Sequence, residues 1–206
     1  DIAQEVGFCF QNPDHQIFAS TVLEEAAFGL TCRGVSPDEA RPQALEMLKR
    51  FGIGDLTDAN PHSLGKGQRQ KIALASIVVL EPKILVIDEP TTGLDWAECQ
   101  QILDIIDTIR DGGTTVVAVT HDMRLVRERA SRAVAMSRGE IIYDGGSAEF
   151  FSEDELMRRA DVEPTTLSVL TREIAASIGV DVAAMPVSVA DFVRQYGPAL
   201  TQGKVA

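Results

Sequence analysis

The sequence is poor in aromatic and basic residues. Aromatic side chains make up 5% of the 206 residues, so the stacking platforms that bind single-stranded nucleic acid are not expected. Aspartate and glutamate number 31 against 19 lysines and arginines, which gives a net charge of −12. Sequence-independent DNA binding needs many cationic groups on phosphates, and this acidic chain has no such excess. We therefore expect no nucleic-acid partner.

Long apolar runs and paired cysteines are missing as well. The longest apolar stretches, such as residues 72–80, are far shorter than the ~20 residues that a membrane-spanning helix needs. The three cysteines, Cys9, Cys32 and Cys99, are far apart and show no CxxC spacing. Their side chains are interpreted as reduced thiols of a cytosolic protein that serve mostly in packing.

Strands and helices alternate in the middle of the chain. Residues 84–88 begin with an apolar run without polar alternation, which is typical of a strand covered on both faces of a parallel sheet. Further strands are predicted at 6–10, 115–119 and 132–136, with helices at about 97–110 and 123–130 between the later ones. This order predicts an α/β fold with a parallel sheet. Arg138 and Gly139 are predicted to form a hairpin turn that leads into residues 140–143.

Helix-start signals occupy the region between the first two strands. Thr21 and Glu24 have the spacing of a capping box, and Ser36 is followed by a proline and two acids. Another helix, over about 67–80, is basic at its start and apolar after Ile72, so its later half is expected to be buried. After residue 151 the chain becomes acidic and helical again.

Two carboxylates follow the apolar run at 84–87. Asp88 and Glu89 would lie at the carboxyl end of a buried strand, where parallel sheets bind ligands. An aspartate there can hold Mg²⁺, and the next carboxylate can orient or deprotonate an attacking water. The alternative is a solvated acidic turn after a core strand.

Three other features point toward the same edge of the sheet. Residues 64–68 put glycines and Lys66 at a helix start, a geometry that suits phosphate, although alone it is more often a flexible turn. His121 ends the strand at 115–119; its alternative is a residue near the N-cap of the next helix. Gln11 follows the first strand, where a single glutamine is usually only solvated.

The order of these motifs resembles the ATP-binding cassette (ABC) ATPase family. The resemblance extends over most of residues 6–145, and five ordered motifs make a chance match very improbable. The matching residues are Gln11 (Q-loop), Leu64, Gly65, Lys66, Gly67 and Gln68 (signature), Asp88 and Glu89 at the end of the Walker B strand, Asp95 (D-loop) and His121 (switch histidine).

A finer resemblance is carried by residues 10–30, which include the run FQNPDHQIF. This stretch is similar to the ATPases of energy-coupling factor transporters and related cobalt/nickel importers, which drive uptake of vitamins or metal ions. The resemblance implies a P-loop NTPase-like ABC ATPase domain over 1–151, with a helical subdomain over about 12–80. Residues 152–206 would be a small C-terminal helical appendage.

The family resemblance implies roles for the matched residues. Asp88 and Gln11 would hold Mg²⁺, Glu89 would act on the attacking water, and His121 would contact the γ-phosphate of ATP. The signature residues would reach ATP held by a second ATPase subunit, identical or paralogous, paired head to tail, and Asp95 would line that interface. An integral membrane transporter subunit is the other implied partner, with the ATPase at the cytoplasmic face of the membrane.

The sequence departs from the family pattern in two places. Gly65 replaces a serine whose hydroxyl would bond the γ-phosphate, a loss of ~1–3 kcal/mol if unreplaced, and Lys66 replaces a glycine. No GxxxxGK[ST] phosphate loop (Walker A) occurs anywhere in the sequence. We therefore expect Asp1 to be a truncation point, and the chain alone to be unstable and unable to hydrolyse ATP.

Two alternative functions stay open. The chain would be a catalytically weak partner in a heterodimeric ATPase if Gly65 impairs the site, although Glu89 and His121 argue against complete loss of catalysis. A nucleic-acid-associated ABC ATPase is the other alternative. That class would carry long heptad insertions, a second cassette or a basic stripe, and this sequence has none of them.

Overall fold

The computed structural model describes residues 2–178, 186 and 188–201 and divides the chain into two compact units, Asp1–His121 and Asp122–Ala206. The predicted truncation point, Asp1, and parts of the predicted appendage (179–185, 187 and 202–206) lie outside the described residues. The predicted domain boundary at 151/152 falls inside the second unit. Among the described helices, none is both long and apolar enough to cross a membrane.

The first unit combines three strands with five helices among its described residues. Short 3₁₀ turns at Pro13–His15 and Pro61–Ser63 follow β1 and precede α4. In chain order the elements are α1 (Ile2–Glu5), β1 (Val6–Cys9), α2 (Val22–Cys32), α3 (Pro37–Arg50), α4 (Lys66–Val78), β2 (Ile84–Asp88), α5 (Trp96–Asp111) and β3 (Thr115–Val119).

The three strands form one parallel sheet in the order β1-β2-β3. Cys9 lies opposite Ile87, and Asp88 lies opposite Val119, so the carboxyl ends of all three strands meet at one edge. Gly7 allows α4 to approach β1 closely, because a Cβ at this position would lie 2.4 Å from Ile77 Cγ2. The parallel sheet predicted from the apolar run at 84–87 is therefore present.

One face of this sheet is covered and the other is open within the described residues. Leu85 and Ile87 are fully buried and belong to a core that includes residues of α4 and α5. Phe8, Val117 and Val119 alternate with that buried set and are 44%, 46% and 55% exposed. Within the described residues the helices that pack on the sheet bury one set of alternating side chains, so the covering that the apolar run predicts is present on one face.

The helices α2, α3 and α4 lie in the region predicted as a helical subdomain. Thr21 is the N-cap of α2, with its hydroxyl oxygen accepting from the backbone N–H of Glu24 at 3.2 Å, as predicted. Glu25, 2% exposed, accepts at Oε2 from the N–H groups of Phe18 (3.0 Å) and Ala19 (2.9 Å). These hydrogen bonds tie the preceding loop to α2 and satisfy a buried carboxylate oxygen.

The second unit contains a hairpin and five described helices. Phe192 and Tyr196 of its last helix pack against Ala175 of the preceding one. Its elements are α6 (Met123–Arg129), β4 (Arg132–Ser137), β5 (Glu140–Gly146), α7 (Ser147–Phe150), α8 (Asp154–Arg159), α9 (Thr166–Ile178) and α10 (Val189–Thr201).

The strand predicted at 132–136 does not join the parallel sheet. It pairs antiparallel with β5 in a separate two-stranded sheet, with Ser137 opposite Glu140. Arg138 and Gly139 both have positive φ (51° and 84°), the conformation of the two-residue turns that reverse a strand directly into a hairpin. The strand and the hairpin turn at Arg138 and Gly139 are thus predicted correctly, whereas the placement of the strand in the parallel sheet is wrong.

A buried cation organises the start of the second unit. Arg127, 6% exposed, donates to the carbonyl oxygen of Pro186 and to the hydroxyls of Thr165 and Ser168. Its guanidinium carbon lies 5.7 Å from the centre of the Phe151 ring. Burial lowers the pKa of the Arg127 guanidinium below its ordinary value. Its neutral acceptors connect α6 to α9 through Ser168 and to the segments on either side of α9 through Thr165 and Pro186.

Candidate functional site

The candidate residues after β2 and β3 meet through Glu89. This residue follows β2 directly and has a φ of 46°. Its side chain is 14% exposed and accepts four hydrogen bonds. Oε2 accepts from the hydroxyls of Thr92 (3.0 Å) and Thr120 (3.4 Å), and Oε1 accepts from the backbone N–H of His121 (3.0 Å). Its own N–H donates to the carbonyl of Val119, which continues the strand register.

The fourth hydrogen bond joins Glu89 to the imidazole of His121. Nδ1 lies 2.7 Å from Oε1, and the histidine side chain is 81% exposed. An ionised carboxylate can only accept, so Nδ1 carries the proton in this pair. The other ring nitrogen, Nε2, is then an acceptor when the ring is neutral and a donor when it is charged. The carboxylate is held while the histidine presents its ring to solvent.

The carboxylate of Asp88 differs from that of Glu89 in having no hydrogen-bond partner among the described residues. No hydrogen bond or ion pair joins its carboxylate to any other described residue, and it lies at the carboxyl end of β2. The described residues contain no group of three or more His, Cys, Asp or Glu that could hold a metal ion. Mg²⁺ is usually bound by one or two carboxylates together with phosphate oxygens and water. The residues present therefore fit a Mg²⁺ ion that arrives with a phosphate ligand.

Gln11 is exposed, and within the described chain no hydrogen bond connects it to Asp88, Glu89 or His121. The neighbouring Gln16 organises the same loop. Its Oε1 accepts from the N–H of Phe10 (3.3 Å), and its Nε2 donates to the carbonyl of Ala73 (2.8 Å) and to Ser76 Oγ (3.2 Å) in α4. Sequence reasoning missed Gln16, because a polar residue in a loop carries no signal of its partner.

Residues 64–68, here called the signature segment, form the N-terminus of α4. Gly65 is the N-cap, and its N–H donates to Gln68 Oε1 at 3.1 Å. A Cβ at Gly67 would lie 2.5 Å from Glu98 Oε1, so the segment packs closely against the start of α5. The predicted helix start is correct, and its N–H groups give the segment the polarity that favours anions.

The side chain of Lys66 contacts the loop that follows Glu89 instead of extending into solvent. Its ammonium group donates to the carbonyl oxygen of Thr92 at 2.7 Å. Gly93, with a φ of 74°, lies beside it, and a Cβ there would come within 2.6 Å of Lys66 Nζ. The signature segment is thus joined to the loop between Glu89 and α5.

Two further contacts hold the elements around the signature segment. Asp95 is the N-cap of α5: it accepts from the N–H of Glu98 (2.8 Å) and donates its own N–H to Glu98 Oε2 (3.2 Å). Arg69 pairs with Asp14 of the loop after β1 at 2.8 Å and also donates to the carbonyl of Leu64. The link from Asp14 to Arg69 was not predicted from the sequence.

The comparisons with known proteins identify the family. The family described as ABC transporter matches residues 1–92. The solved structure of cbiO1 from Clostridium perfringens, described as part of the ABC transporter complex cbiONQ, is 32% identical with a TM-score of 0.67. The match covers 82% of this chain and 68% of that one. The chain belongs to the ABC transporter ATP-binding family. The predicted family and fold class are thereby confirmed, and membership implies nucleotide binding.

Curated relatives of this ABC protein carry energy-coupling factor names. The energy-coupling factor transporter ATP-binding protein EcfA of Methanothermobacter thermautotrophicus is 38% identical over 182 residues, which cover 88% of this chain and 58% of that protein. EcfA2 of Methanospirillum hungatei is 34% identical over 193 residues, or 94% of this chain and 48% of that protein. The chain therefore spans about half the length of these curated relatives.

Proposed function

We propose that the chain is part of the ATP-hydrolysing subunit of an energy-coupling factor-like importer, and that its hydrolytic residues lie at the carboxyl edge of the parallel sheet. The observation that carries this proposal is the Glu89–His121 pair, in which a nearly buried carboxylate is bonded at 2.7 Å to an exposed imidazole. A carboxylate that can orient or deprotonate water and a histidine beside it are two of the groups that promote phosphoryl transfer to water. The names of the relatives support the same class of protein.

The roles at this edge follow from the contacts of each residue. Glu89 orients the attacking water and accepts its proton when that water replaces one of the four donors on its carboxylate, and the remaining donors fix the carboxylate. His121 keeps its Nδ1–H on Glu89 and contacts the γ-phosphate of ATP through Nε2. Asp88, whose carboxylate has no described partner, and Gln11 would hold Mg²⁺. When bound, this ion neutralises charge on the phosphate oxygens.

The signature segment and Asp95 act across a dimer interface in this proposal. Leu64, Gly65, Lys66, Gly67 and Gln68 face ATP that is held by a second ATPase subunit paired head to tail. The free N–H groups at the start of α4 support this role, since a helix N-terminus favours phosphate. Asp95 caps α5 and would line the same interface.

The proposed transport role requires an integral membrane partner. Relatives are named as ATP-binding proteins of energy-coupling factor transporters, and cbiO1 is described as part of a transporter complex. We infer that this protein binds an integral membrane subunit at the cytoplasmic face of the membrane and drives uptake of vitamins or metal ions. Affinity purification from detergent-solubilised membranes tests this, and recovery of no integral membrane protein would contradict it.

Gly65 favours a second candidate, a catalytically weak subunit of a heterodimer. The position lacks a hydroxyl, and a Cβ built there would meet only Gln68 Oε1, at 3.7 Å. The absence of a serine is therefore not forced by packing. In this case the signature segment would bind the nucleotide of the partner subunit less tightly, and the assembly would contain one slow site.

The deciding experiment measures ATP hydrolysis by the native assembly with Glu89→Gln in this subunit. General-base catalysis typically contributes 10²–10⁴-fold, so we expect a fall of at least about 100-fold in kcat. Glu46→Gln is the matched control, because Glu46 is exposed on α3, away from the edge. Equal rates for wild type and Glu89→Gln would contradict hydrolysis at this site.

A further inference from the structure

Three side chains link the signature segment to the proposed hydrolytic carboxylate within one subunit. Lys66 Nζ donates to the carbonyl oxygen of Thr92 at 2.7 Å, and Thr92 Oγ1 donates to Glu89 Oε2 at 3.0 Å. The first contact holds the backbone of Thr92 and the second uses its side chain. Both contacts are part-buried, so they are better shielded from solvent than a surface ion pair.

The local environment fits this use of Lys66. A cation at the first position of α4 lies near the positive end of the helix dipole, which disfavours it. The carbonyl of Thr92 supplies a compensating acceptor. Gly93 leaves the space that the ammonium fills, because a Cβ there would lie 2.6 Å from Nζ. The lysine and the loop are therefore matched in both shape and polarity.

The loop is also held by its buried residues Pro90 and Thr91 and by the Cys99 thiol, which donates to the carbonyl oxygens of Thr91 and Leu94. Between Glu89 and Asp95 its backbone hydrogen bonds are long: Thr92 N–H to the Glu89 carbonyl and Leu94 N–H to the Thr91 carbonyl are both 3.3 Å. The ammonium of Lys66 makes a shorter and charge-assisted bond to the same loop, the stronger kind of contact. Its removal should loosen the loop more than the loss of either long bond.

We propose that Lys66 is a positioning residue that acts on Glu89 through Thr92. By fixing the carbonyl of Thr92, it keeps the Thr92 hydroxyl on Oε2, so that Oε1 remains bonded to His121 and the carboxylate keeps one orientation. The inference rests on the proposed function of Glu89. It also means that the signature segment and the hydrolytic carboxylate of one subunit move together.

A different role for the same ammonium would have different consequences. If Lys66 left Thr92 to bind phosphate across the dimer interface, its loss would weaken nucleotide binding and raise KM. A positioning role instead lowers kcat with KM nearly unchanged, because in that role the ammonium stays on the Thr92 carbonyl and does not bind the phosphate. The two roles are separated by the split between kcat and KM.

The test compares Lys66→Met, Lys66→Arg and Lys71→Met in the native assembly. Lys71 is the matched control: it lies on the same helix and donates to Gln101 Oε1 at 2.7 Å, not to the loop. We expect Lys66→Met to lower kcat about tenfold, the effect of one charge-assisted hydrogen bond. KM should stay within about twofold, Lys66→Arg should recover part of kcat, and Lys71→Met should match wild type.

The Thr92→Val variant tests whether Lys66 acts on Glu89 through the Thr92 hydroxyl. It removes the hydroxyl but keeps the carbonyl that Lys66 binds. If Lys66 acts through that hydroxyl, Lys66→Met will lower kcat much less in the Thr92→Val background than alone. Amide hydrogen exchange over residues 91–95 gives a readout apart from activity: exchange should accelerate in Lys66→Met and not in Lys71→Met.

The outcomes separate this inference from the proposed function. Wild-type activity no higher than that of Glu89→Gln would overturn the proposed function and this inference together. An active wild type with unchanged kcat in Lys66→Met, or with additive effects of Lys66→Met and Thr92→Val, would overturn only the positioning role. A raised KM with unchanged kcat would assign Lys66 to the phosphate instead.

Discussion

Glu89 Oε1 lies 2.7 Å from Nδ1 of His121, although 32 positions separate the two residues in the chain. The contact exists because β2 and β3 are parallel neighbours, so the residues that follow them emerge at the same edge. The backbone N–H of His121 donates to the same oxygen at 3.0 Å. The pair is therefore fixed by the sheet itself as well as by the two side chains.

The first prediction concerns His121. Replacing it with alanine removes the imidazole from Oε1 and the proposed Nε2 contact to phosphate, but leaves the backbone N–H on Glu89. We expect kcat for ATP hydrolysis to fall by about 100-fold or more, with the melting temperature nearly unchanged because the side chain is 81% exposed. Steady-state hydrolysis and a thermal melt measure the two quantities.

His15→Ala is the control for that experiment. His15 is exposed, and its ring contacts the Asn12 amide at 3.5 Å, so its loss should leave kcat unchanged. A His121→Ala variant that keeps wild-type kcat would show that the Glu89–His121 pair is structural, whereas equal losses in both variants would point to a general effect of removing a histidine.

The second prediction concerns Gly65→Ser. The position is an N-cap with extended backbone (φ −63°, ψ 159°), and a new Cβ meets nothing closer than 3.7 Å. Serine is a better N-cap than glycine by a few tenths of a kcal/mol, so stability should rise slightly. We expect the added hydroxyl to raise the rate of ATP hydrolysis about fivefold, in line with one recovered hydrogen bond to a charged group.

Gly65→Ala is the matched variant, because it adds the Cβ without the hydroxyl. Its hydrolysis rate should equal that of the wild type. If serine and alanine give the same rate, the missing hydroxyl does not limit the signature segment, and the weak-subunit candidate loses its support.

The third prediction concerns Gly67 and Glu98. A Cβ at Gly67 would lie 2.5 Å from Glu98 Oε1, and the same carboxylate accepts from the N–H of Asp95 through Oε2. Alanine at Gly67 must displace Glu98 and weaken this cap of α5. Alanine also favours the helix by up to ~1 kcal/mol over glycine. We expect a coupling of about 1 kcal/mol between the two sites in urea unfolding.

A double-mutant cycle in the free energy of unfolding tests the sign of this coupling. Gly67→Ala should stabilise the protein when Glu98 is alanine, and should give no gain or a loss when Glu98 is present. Additive changes in the free energy of unfolding would contradict the close packing between the signature segment and α5.

The ends of the strands were predictable from the sequence, and their contacts were not. An apolar run that stops at Asp88 marks a strand end whatever the neighbouring elements are, and the same holds for His121 after 115–119. The identity of the donors on Glu89 depends on loop conformations, such as the positive φ of Glu89 and Gly93. Composition and periodicity carry no information on those angles, so Thr92 and Thr120 were missed.

The contacts of long side chains, and the sheet to which a strand belongs, were not predictable from the sequence pattern either. Lys66 and Arg69 were both expected near a phosphate or at a basic helix start, yet each bonds a backbone carbonyl of its own chain. The strand at 132–136 and the hairpin turn at Arg138 and Gly139 were predicted from the sequence, but the assignment of this strand to the parallel sheet was wrong. Local pattern predicts an element, whereas partners depend on geometry that only the folded chain provides.

The fourth prediction concerns the three cysteines. Burial raises the pKa of the Cys9 thiol to about 12, and its side chain is fully covered, whereas Cys32 is exposed. The thiolate is the nucleophile, so at pH 8 Cys9 would be ionised to about one part in 10⁴. Iodoacetamide should therefore modify Cys32 in the native protein and leave Cys9 and the buried Cys99 unmodified, as read by peptide mass spectrometry.

The pH dependence and a denatured control complete the cysteine test. Raising the pH from 7 to 9 should leave Cys9 unmodified, because ionisation of its thiol requires a pH near 12. In urea all three thiols should react. Modification of Cys9 at the rate of Cys32 under native conditions would mean that β1 does not pack against α4 in solution, since Cys9 belongs to the same buried core as Ile72 and Ala73.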